Sequence, residues 1–522
     1  MIESGHDKKS GAGLEGRRQM GRMAAFNAAV SIVEFAARSL LSLLMTPLLV
    51  QGLGGAVFGV WKVLERLILY LQVADGRPTQ ALQWLIANAA GQDDAEQNRQ
   101  HFGHALGIWL MFFPVVIVLG GGIIWLLPAI TSMPASMITD ARKATGWLLG
   151  AFIITGLGAI AAGVLIGLNL GYKRIWASLA GIVMTGILVL VSLRAGYGLS
   201  GVAGAHALAS ALGAGLLFWA LKKNVGWFKS VRPAFVGIGK FLRVNLWYTG
   251  WTFINKIHLS CDVILIGLVL SAETVSSYVI TSFAAVTLMA LSAATTSAII
   301  PGFGRYLDAG NHEKLMALRS ELSAYNWLFC TVGGAVILAC NQTFVTLWVG
   351  ENLYAGRVVD GVILLAAVQL SLARGDGFLL DLSLGIKPKV AIGGGAGVLA
   401  VGLMLGLLPS YGLIAAPLTL LAARVPMTIL FSRLVCARFG RGASPFLLAR
   451  RMMVMSGCFA AASFTAGSTS IASWSVWIVQ CGVVGAVSLL ICYYMILTIE
   501  ERKRLRERWK ATVPAVPKRT GL

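Results

Sequence analysis

The sequence predicts an all-α polytopic membrane protein of about fourteen transmembrane helices, in two pseudo-symmetric six-helix lobes plus a C-terminal helix pair. Three observations predict this fold class. Of the 522 residues, 57% are hydrophobic and 12% are charged, whereas soluble domains carry about 25% charged residues. The mean hydropathy is +0.77, and the apolar stretches reach the roughly 20 residues that a helix needs to cross a bilayer. A phrase from the first half of the chain also returns in the second. Together these features exclude a soluble enzyme.

The repeated phrase predicts two homologous lobes. Leu-Asn-Leu-Gly-Tyr-Lys begins at Leu168 and Tyr-Gly-Leu follows at Tyr197, while Leu-Ser-Leu-Gly-Ile-Lys begins at Leu382 and Tyr-Gly-Leu follows at Tyr411. Both parts return at an offset of 214 positions (382 − 168 and 411 − 197). Membrane proteins built from two such repeats usually hold a substrate between them and move it across the bilayer. The repeat therefore predicts transport.

The apolar stretches place the spans in order along the chain. The second span is predicted to break at Asp-Gly-Arg-Pro (75–78), because Pro ends a helix and Gly loosens one. A short helical piece over 79–90 is predicted to follow at the membrane surface. The predicted spans are 24–50, 57–76, 103–129, 145–170, 175–194, 199–221, 241–270, 275–301, 320–340, 358–385, 390–408, 412–434, 451–468 and 473–498.

The distribution of Lys and Arg predicts that both termini face the cytoplasm. The net charge is +21, which on a soluble protein would suggest a nucleic-acid partner. Here the charge concentrates in the two tails and in the connections 222–243 and 433–451, and cytoplasmic loops are the ones that favour Lys and Arg. The span count is then even and no nucleic-acid partner is expected. Anionic phospholipids of the cytoplasmic leaflet are expected to contact the basic tail 500–510.

This topology predicts a sequence of segments. A weaker echo between 57–60 and 277–280, at an offset of 220, supports a shared orientation of the two lobes. The segments are a basic N-terminal tail (1–22), an N-lobe (23–222), a basic linker (223–240), a C-lobe (241–434), a basic loop (435–450), a helix pair (451–498) and a basic C-terminal tail (499–522).

Charged residues inside the predicted spans are the candidate functional residues, because intramembrane charge is costly and usually functional. Four cations lie near the predicted midplane, two from each lobe, and could bind a phosphate-bearing substrate. These substrate-binding candidates are Arg38, Arg66, Lys256 and Arg374. Five acidic residues are candidates for ion coupling or for ion pairs: Glu34, Glu65, Asp262, Asp376 and Asp381.

Simple helix pairing is the alternative interpretation of these charges. Glu34 and Arg38 are four residues apart, Lys62 and Glu65 are three apart, and His258 and Asp262 are four apart. Side chains at these spacings are neighbours on a helix and can neutralise each other. The sequence leaves open which charges contact a substrate and which form pairs.

Some of these charged residues occur in only one copy of the repeat. At the 214 offset, Arg374, Asp376 and Asp381 correspond to Ile160, Ala162 and Gly167. Charges that depart from the repeat are better functional candidates than residues that maintain it.

No cofactor and no metal site are expected. The chain contains no Gly-x-x-x-x-Gly-Lys-Ser/Thr phosphate-binding loop, and its histidines show no metal-ligand spacing. The seven cysteines form no Cys-x-x-Cys pair and are predicted to be small apolar residues without disulfides.

These features resemble the polysaccharide flippases of the multidrug/oligosaccharidyl-lipid/polysaccharide exporter superfamily, which include O-antigen and exopolysaccharide translocases. The resemblance covers about 22–498 and rests on the layout of six, six and two spans together with short phrases. The phrases are Gly-Leu-Gly-Gly-Ala-Val-Phe-Gly-Val-Trp (52–61), Leu-Gly-x-Lys (170–173 and 384–387), Tyr-Gly-Leu (197 and 411) and Leu-Trp-Val-Gly-Glu (347–351).

The resemblance implies a flippase that translocates undecaprenyl-diphosphate-linked oligosaccharides across the bacterial inner membrane by alternating access. It implies surface polysaccharide synthesis (O-antigen, capsule or exopolysaccharide), with a polysaccharide polymerase and chain-length machinery as possible partners. Two alternatives remain: a cation-coupled multidrug antiporter of the same superfamily, and a membrane-embedded polymerase or acyltransferase. For an acyltransferase, His258 is the histidine placed within the membrane for catalysis.

Overall fold

A computed structural model describes residues 33–512 except for 75, 77, 90–94, 132, 230–232, 235–237, 383–384, 441, 443 and 466–472. The described part contains sixteen α-helices and no β-strand, so the predicted all-α fold class is confirmed. The helices are α1 (Val33–Leu53), α2 (Gly55–Tyr70), α3 (Pro78–Ala89), α4 (Ala95–Ile130), α5 (Ala135–Gly167), α6 (Ile175–Arg194), α7 (Gly198–Asn224), α8 (Ile238–Val269), α9 (Ala272–Asp308), α10 (His312–Val349), α11 (Arg357–Leu382), α12 (Ile386–Tyr411), α13 (Ala415–Phe439), α14 (Pro445–Thr465), α15 (Trp474–Met495) and α16 (Ile499–Thr512).

Each of the fourteen predicted spans overlaps one of these helices, as expected for a multi-pass membrane protein. Twelve stretches of the described residues are long and apolar enough to cross a membrane. One of these stretches, Ile386–Phe439, contains both α12 and α13. The remaining helix, α2, has 16 residues, slightly fewer than the roughly 20 of a full span. The short helix predicted after the second span is also present, as α3, and its Leu82 and Ile86 are buried in the core of the first unit.

The chain forms two compact units. The first comprises Met1–Lys256 with Ser271–Val275, and the second comprises Ile257–Leu270 with Ser276–Leu522. In the first unit, α5 packs against α2, α3, α4 and α7, and α6 packs against α7. In the second unit, α13 packs against α11 and α12, while α14 and α15 pack against α10.

The doubled phrase carries a glycine of the same backbone conformation in both copies. Gly198 and Gly412 both have a φ of 62°, a conformation that glycine adopts at little cost. The tyrosines that precede them, Tyr197 and Tyr411, have the same exposed fraction, 68%. The sequence repeat therefore marks equivalent positions in the two units.

A buried carboxylate fixes the connection between α10 and α11. Asp360 accepts hydrogen bonds from the Asn341 amide at 2.9 and 3.0 Å and from the Tyr354 hydroxyl at 3.0 Å. Burial, together with the nearby Asp360, holds the pKa of Tyr354 well above its usual value. Tyr354 therefore keeps its proton and remains a donor to Asp360.

Candidate functional site

The first unit contains a cavity of about 400 Å³ between α1, α2, α5, α6 and α7. Its wall combines apolar side chains with hydroxyl groups and a few charges, the composition expected of a pocket for a polar ligand. The apolar wall residues include Leu41, Met45, Leu49, Ile182, Val189 and Leu217, and the hydroxyl-bearing ones are Ser42, Thr46, Thr155, Ser178, Thr185 and Ser210.

Arg38 brings a positive charge to this cavity. It shares one face of α1 with Leu41, Ser42 and Met45, which follow at helical spacings of three, four and seven residues and line the same wall. Arg38 lies about 22 Å from the end of α1 at Leu53, at 1.5 Å per residue. Its side chain is exposed, and within the described ranges it makes no hydrogen bond or ion pair. Arg38 is therefore available to an anionic ligand.

A second group of charges on the wall comes from α2 and α7. Lys62 donates to Glu65 at 2.8 Å, which confirms that these two residues can pair along the helix. The His206 ring lies 5.2 Å from the Trp61 ring, centroid to centroid, and interacts electrostatically with Glu65. All four of these residues line the cavity.

The charges of the wall leave an excess of one positive charge. Arg38 and Lys62 are cationic and Glu65 is anionic, while His206 is taken as neutral. Because Lys62 and Glu65 neutralise each other, the surplus charge lies at Arg38. A guanidinium group offers paired N–H donors that match the geometry of a phosphate or carboxylate.

The structure distributes the other three predicted cations over different places. Arg66 is half-buried on α2, one residue after Glu65, and is not part of the cavity wall. Lys256 lies at the end of the first unit, where its carbonyl accepts a hydrogen bond from the Tyr70 hydroxyl at 3.2 Å. Arg374 lies in the second unit on α11, half-buried, and the described residues provide no hydrogen bond or ion pair to its side chain. Within the first unit, the structure thus places Arg38, and not Arg66, on the cavity wall.

Glu34 has a different partner from the one that its spacing suggests. It is 8% exposed and accepts a hydrogen bond from Arg174 Nη2 at 2.8 Å. The alternative in which Glu34 pairs with Arg38 along the helix is therefore not the one that the structure forms. Arg174, at the start of α6, neutralises Glu34 from another helix, and the described residues provide no ion pair to Arg38.

Two acidic candidates of the second unit are also paired. Asp376 binds Arg319 through both carboxylate oxygens, at 2.6 and 2.8 Å. Asp381 accepts from Lys389 at 2.7 Å, and the Lys389 side chain is 3% exposed. Both carboxylates therefore act as ion-pair partners, one of the two roles that the sequence left open.

His258 and Asp262 do not pair with each other. Asp262 accepts a hydrogen bond from the Tyr278 hydroxyl at 2.7 Å, whereas His258 Nε2 lies 3.0 Å from the Gly393 carbonyl. The expected His258–Asp262 pair is therefore wrong. His258 is 2% exposed, so its ring is shielded in the core of the unit rather than presented to a substrate.

Sequence reasoning missed the partners that neutralise the acidic residues. Arg174 lies 140 positions from Glu34, and Arg319 lies 57 positions from Asp376. Periodicity within one helix cannot identify such long-range pairs. The one available signal was that these bases stand just before predicted spans, where each can reach a carboxylate of a neighbouring helix. The partners missed in this way are Arg174, Arg319 and Lys389.

Comparison with known proteins identifies the fold. No family model and no curated protein sequence matches the chain. Among solved structures, the lipid II flippase MurJ in an inward closed conformation superposes with a TM-score of 0.65 at 12% identity, over 89% of this chain and 97% of that one. An inward-facing multidrug resistance MATE family transporter of the MOP superfamily matches with a TM-score of 0.55 at 18% identity, over 78% and 98%. The eukaryotic MATE transporter AtDTX14 matches with a TM-score of 0.55 at 14% identity, over 85% and 96%.

The chain has the fold of these exporters. Because the similarity spans nearly the whole of each structure at low identity, it concerns the backbone arrangement rather than particular residues. The resemblance to the multidrug/oligosaccharidyl-lipid/polysaccharide exporter superfamily is thereby confirmed at the level of fold. The residues of the cavity must be interpreted from their own chemistry.

Proposed function

We propose that the protein is a flippase for oligosaccharides linked to a lipid through a diphosphate, in the synthesis of a surface polysaccharide. The observation that carries the proposal is Arg38, a guanidinium without a partner in the described part of the chain, on the wall of a cavity that also bears hydroxyl groups. The fold shared with a lipid II flippase supports it. In this proposal Arg38 binds the diphosphate, and the hydroxyl groups of the wall contact the polar part of the same headgroup.

The balance of charge in the cavity supports this substrate over the main alternative. The MATE transporters that share the fold are described as multidrug transporters, which suggests a multidrug antiporter as the second candidate. Cationic drugs need an excess of negative charge in the binding cavity, but the wall carries Arg38 and Lys62 against Glu65 alone. The net positive charge favours an anionic substrate such as a diphosphate.

The proposal also covers the location of the protein, the other predicted cations and its partners. The protein is placed in a bacterial inner membrane, with both termini in the cytoplasm. The remaining predicted cations, Arg66, Lys256 and Arg374, are proposed to contact the substrate at other stages of its passage. A polysaccharide polymerase and its chain-length machinery are proposed to receive the translocated unit.

Gene deletion followed by complementation tests the proposal. In the deletion strain, lipid-linked oligosaccharide should accumulate on the inner leaflet, and the wild-type gene should reverse this accumulation. Arg38→Ala should fail to reverse it, with a loss of translocation of at least about tenfold, since a charge-assisted hydrogen bond to the substrate contributes 1.5–3 kcal/mol.

The matched control is Arg194→Ala. Arg194 is an exposed arginine of the same unit at the end of α6, outside the cavity wall, and its loss should leave translocation unchanged. Expression of both variants is compared by immunoblotting of membranes. Normal surface polysaccharide with altered drug tolerance in the deletion strain would reject the flippase in favour of the antiporter.

A further inference from the structure

The core of the second unit contains a buried arginine surrounded by polar side chains. Arg424, on α13, is 4% exposed, and its Nη2 donates to the carbonyl of His258 on α8. This contact places the guanidinium one helical turn from Asp262 on α8, although the described residues form no direct ion pair between the two. The Asp262 carboxylate accepts a hydrogen bond from Tyr278 on α9. Three helices of the unit therefore bring together a buried cation and a half-buried carboxylate.

These two charges need each other. A guanidinium removed from water is strongly destabilising unless an opposite charge lies nearby. Asp262, one helical turn beyond the carbonyl that Arg424 contacts, is the acidic residue of this group. Asp262 itself is held by the Tyr278 hydroxyl at 2.7 Å and by the backbone N–H of Val263 at 2.9 Å, both of which are neutral donors. Neither donor supplies the positive charge that the carboxylate requires.

The internal repeat shows where this pair lies in the fold. At the offset of 220 that relates 57–60 on α2 to 277–280 on α9, Asp262 corresponds to Ser42 of the preceding helix (262 − 220 = 42). At the offset of 214 that relates α7 to α13, Arg424 corresponds to Ser210 (424 − 214 = 210). Ser42 and Ser210 both line the cavity of the first unit. The positions of Ser42 and Ser210 in the first unit are thus occupied by an acidic and a basic residue, Asp262 and Arg424, in the second unit.

We infer that Arg424 is a built-in counter-ion for Asp262, a cation that the chain supplies to the second unit in place of one from solution. The carboxylate is then compensated permanently, and no Na⁺ ion is required beside it. Asp262 was one candidate for ion coupling, and the inference assigns it a fixed internal partner. Its consequence for transport rests on the proposed function: translocation would need no cation bound at Asp262.

Chemical rescue of an arginine deletion tests the inference on the full-length protein in detergent. Arg424→Ala should lower the unfolding temperature by on the order of 5 °C, because it leaves a half-buried carboxylate uncompensated next to a void. Millimolar guanidinium chloride should restore at least half of this loss by occupying the vacated place. The same salt should have no effect on the double variant Asp262→Asn/Arg424→Ala, which lacks the carboxylate. Arg433→Ala, an exposed arginine on the same helix, is the control and should match the wild type.

A double-mutant comparison keeps the inference falsifiable if the alanine variant does not fold. Arg424→Met keeps most of the apolar volume of the side chain but leaves Asp262 without a nearby positive charge. This variant should therefore be less stable than Asp262→Asn/Arg424→Met, in which both charges are absent. Asp262→Asn alone should also lower the unfolding temperature, since it leaves Arg424 without a nearby negative charge.

Two results would overturn the inference. One is an unchanged unfolding temperature for Asp262→Asn. The other is a saturable stabilisation of the wild type by Na⁺ relative to choline that Asp262→Asn abolishes. Both results come from unfolding measurements and not from a transport assay. The flippase proposal and the counter-ion inference can therefore fail independently of each other.

Discussion

Single charged residues in this chain differ mainly in whether another helix supplies a partner. Glu34 and Arg38 lie one turn apart on α1, yet Arg174 neutralises Glu34 and leaves Arg38 without a partner in the described part of the chain. An unpaired charge inside a membrane protein is far more costly than a paired one. The unpaired Arg38 is therefore the stronger functional candidate of the two, and Glu34 is better assigned to stability.

This assignment predicts a structural effect of Glu34→Gln. The substitution should lower the free energy of unfolding by about 2 kcal/mol, because it leaves the Arg174 guanidinium partly buried without its counter-charge. The measurement is unfolding of the purified protein in detergent, followed by circular dichroism. Glu96→Gln removes one partner of an exposed pair on α4, whose side chains are 39% and 66% exposed, and should cost less than about 0.5 kcal/mol. Equal losses in the two variants would contradict the assignment.

How much of the candidate site the sequence could predict depends on the range of each interaction. Lys62 and Glu65 pair within one helical turn, so their spacing was sufficient to suggest the contact. Arg38 could be selected from its depth in an apolar stretch. Arg174 and His206 could not, because their roles depend on how α6 and α7 pack against α1 and α2. Such packing is a property of the tertiary structure and leaves no local pattern.

At the scale of whole helices, the sequence was a better guide. A stretch of about 20 apolar residues has one low-energy form in a bilayer, since a helix satisfies all of its backbone hydrogen bonds internally. The start of α3 at Pro78 followed from the proline, whereas α2 ends at Tyr70, before the predicted break at 75–78, of which 75 and 77 lie outside the described residues. Helix ends were less accurate: α10 runs from His312 to Val349, well beyond the predicted 320–340. Its first turns are polar, so hydropathy did not include them.

Close packing of α4 yields a prediction for Gly107. A Cβ atom at this position would lie 2.3 Å from the carbonyl oxygen of Ala234, a backbone atom that cannot move aside as a side chain can. Gly107→Ala should therefore destabilise the protein by about 1–3 kcal/mol, the usual cost of overpacking. Gly122→Ala on the same helix meets no atom within 4 Å and should be neutral or slightly stabilising. The unfolding temperatures of the two variants are measured in parallel. Equal stability of Gly107→Ala and Gly122→Ala would refute the packing argument.

The C-terminal helix α16 is fixed to the second unit by one of its faces. Glu501 binds Arg451 of α14 at 2.9 and 3.0 Å, and this arginine is 2% exposed. Leu505 packs against the core cluster formed by α10, α14 and α15. The opposite face exposes Lys503, Arg504 and Arg506. A basic face held in this way is suited to contact an anionic membrane surface.

Lipid composition should therefore change the protection of α16. In nanodiscs that contain phosphatidylglycerol, hydrogen exchange over 499–507 should be slower than in phosphatidylcholine alone, since each basic residue near an anionic surface contributes about 1 kcal/mol. The triple variant Lys503→Ala/Arg504→Ala/Arg506→Ala should lose this difference. A helix outside the basic region, such as α6, should exchange equally in both lipids. Equal exchange of α16 in both lipids would show that its basic face has no lipid partner.

At the scale of the whole molecule, the two units repeat their backbone more closely than their chemistry. Gly198 and Gly412 share a φ of 62°. The charged positions differ: Arg38 lies on the wall of a cavity in the first unit, whereas Asp376 and Asp381 of the second unit are held in ion pairs. The scaffold positions thus recur while the charges placed on them do not.

The distribution of basic residues predicts how the chain is oriented in the membrane. Cytoplasmic segments attract Lys and Arg, and the chain carries 43 such residues, with both tails strongly basic. Lys143 at the start of α5 then faces the outside, and Lys314 at the start of α10 faces the cytoplasm. Both are exposed in the structure, so each can be replaced by a single cysteine in a background that lacks the seven native thiols. In intact cells a membrane-impermeant maleimide should label Lys143→Cys and should leave Lys314→Cys unlabelled until the cells are permeabilised. The reverse pattern would invert the topology, and labelling of both in intact cells would mean that the number of spans between them is even rather than odd.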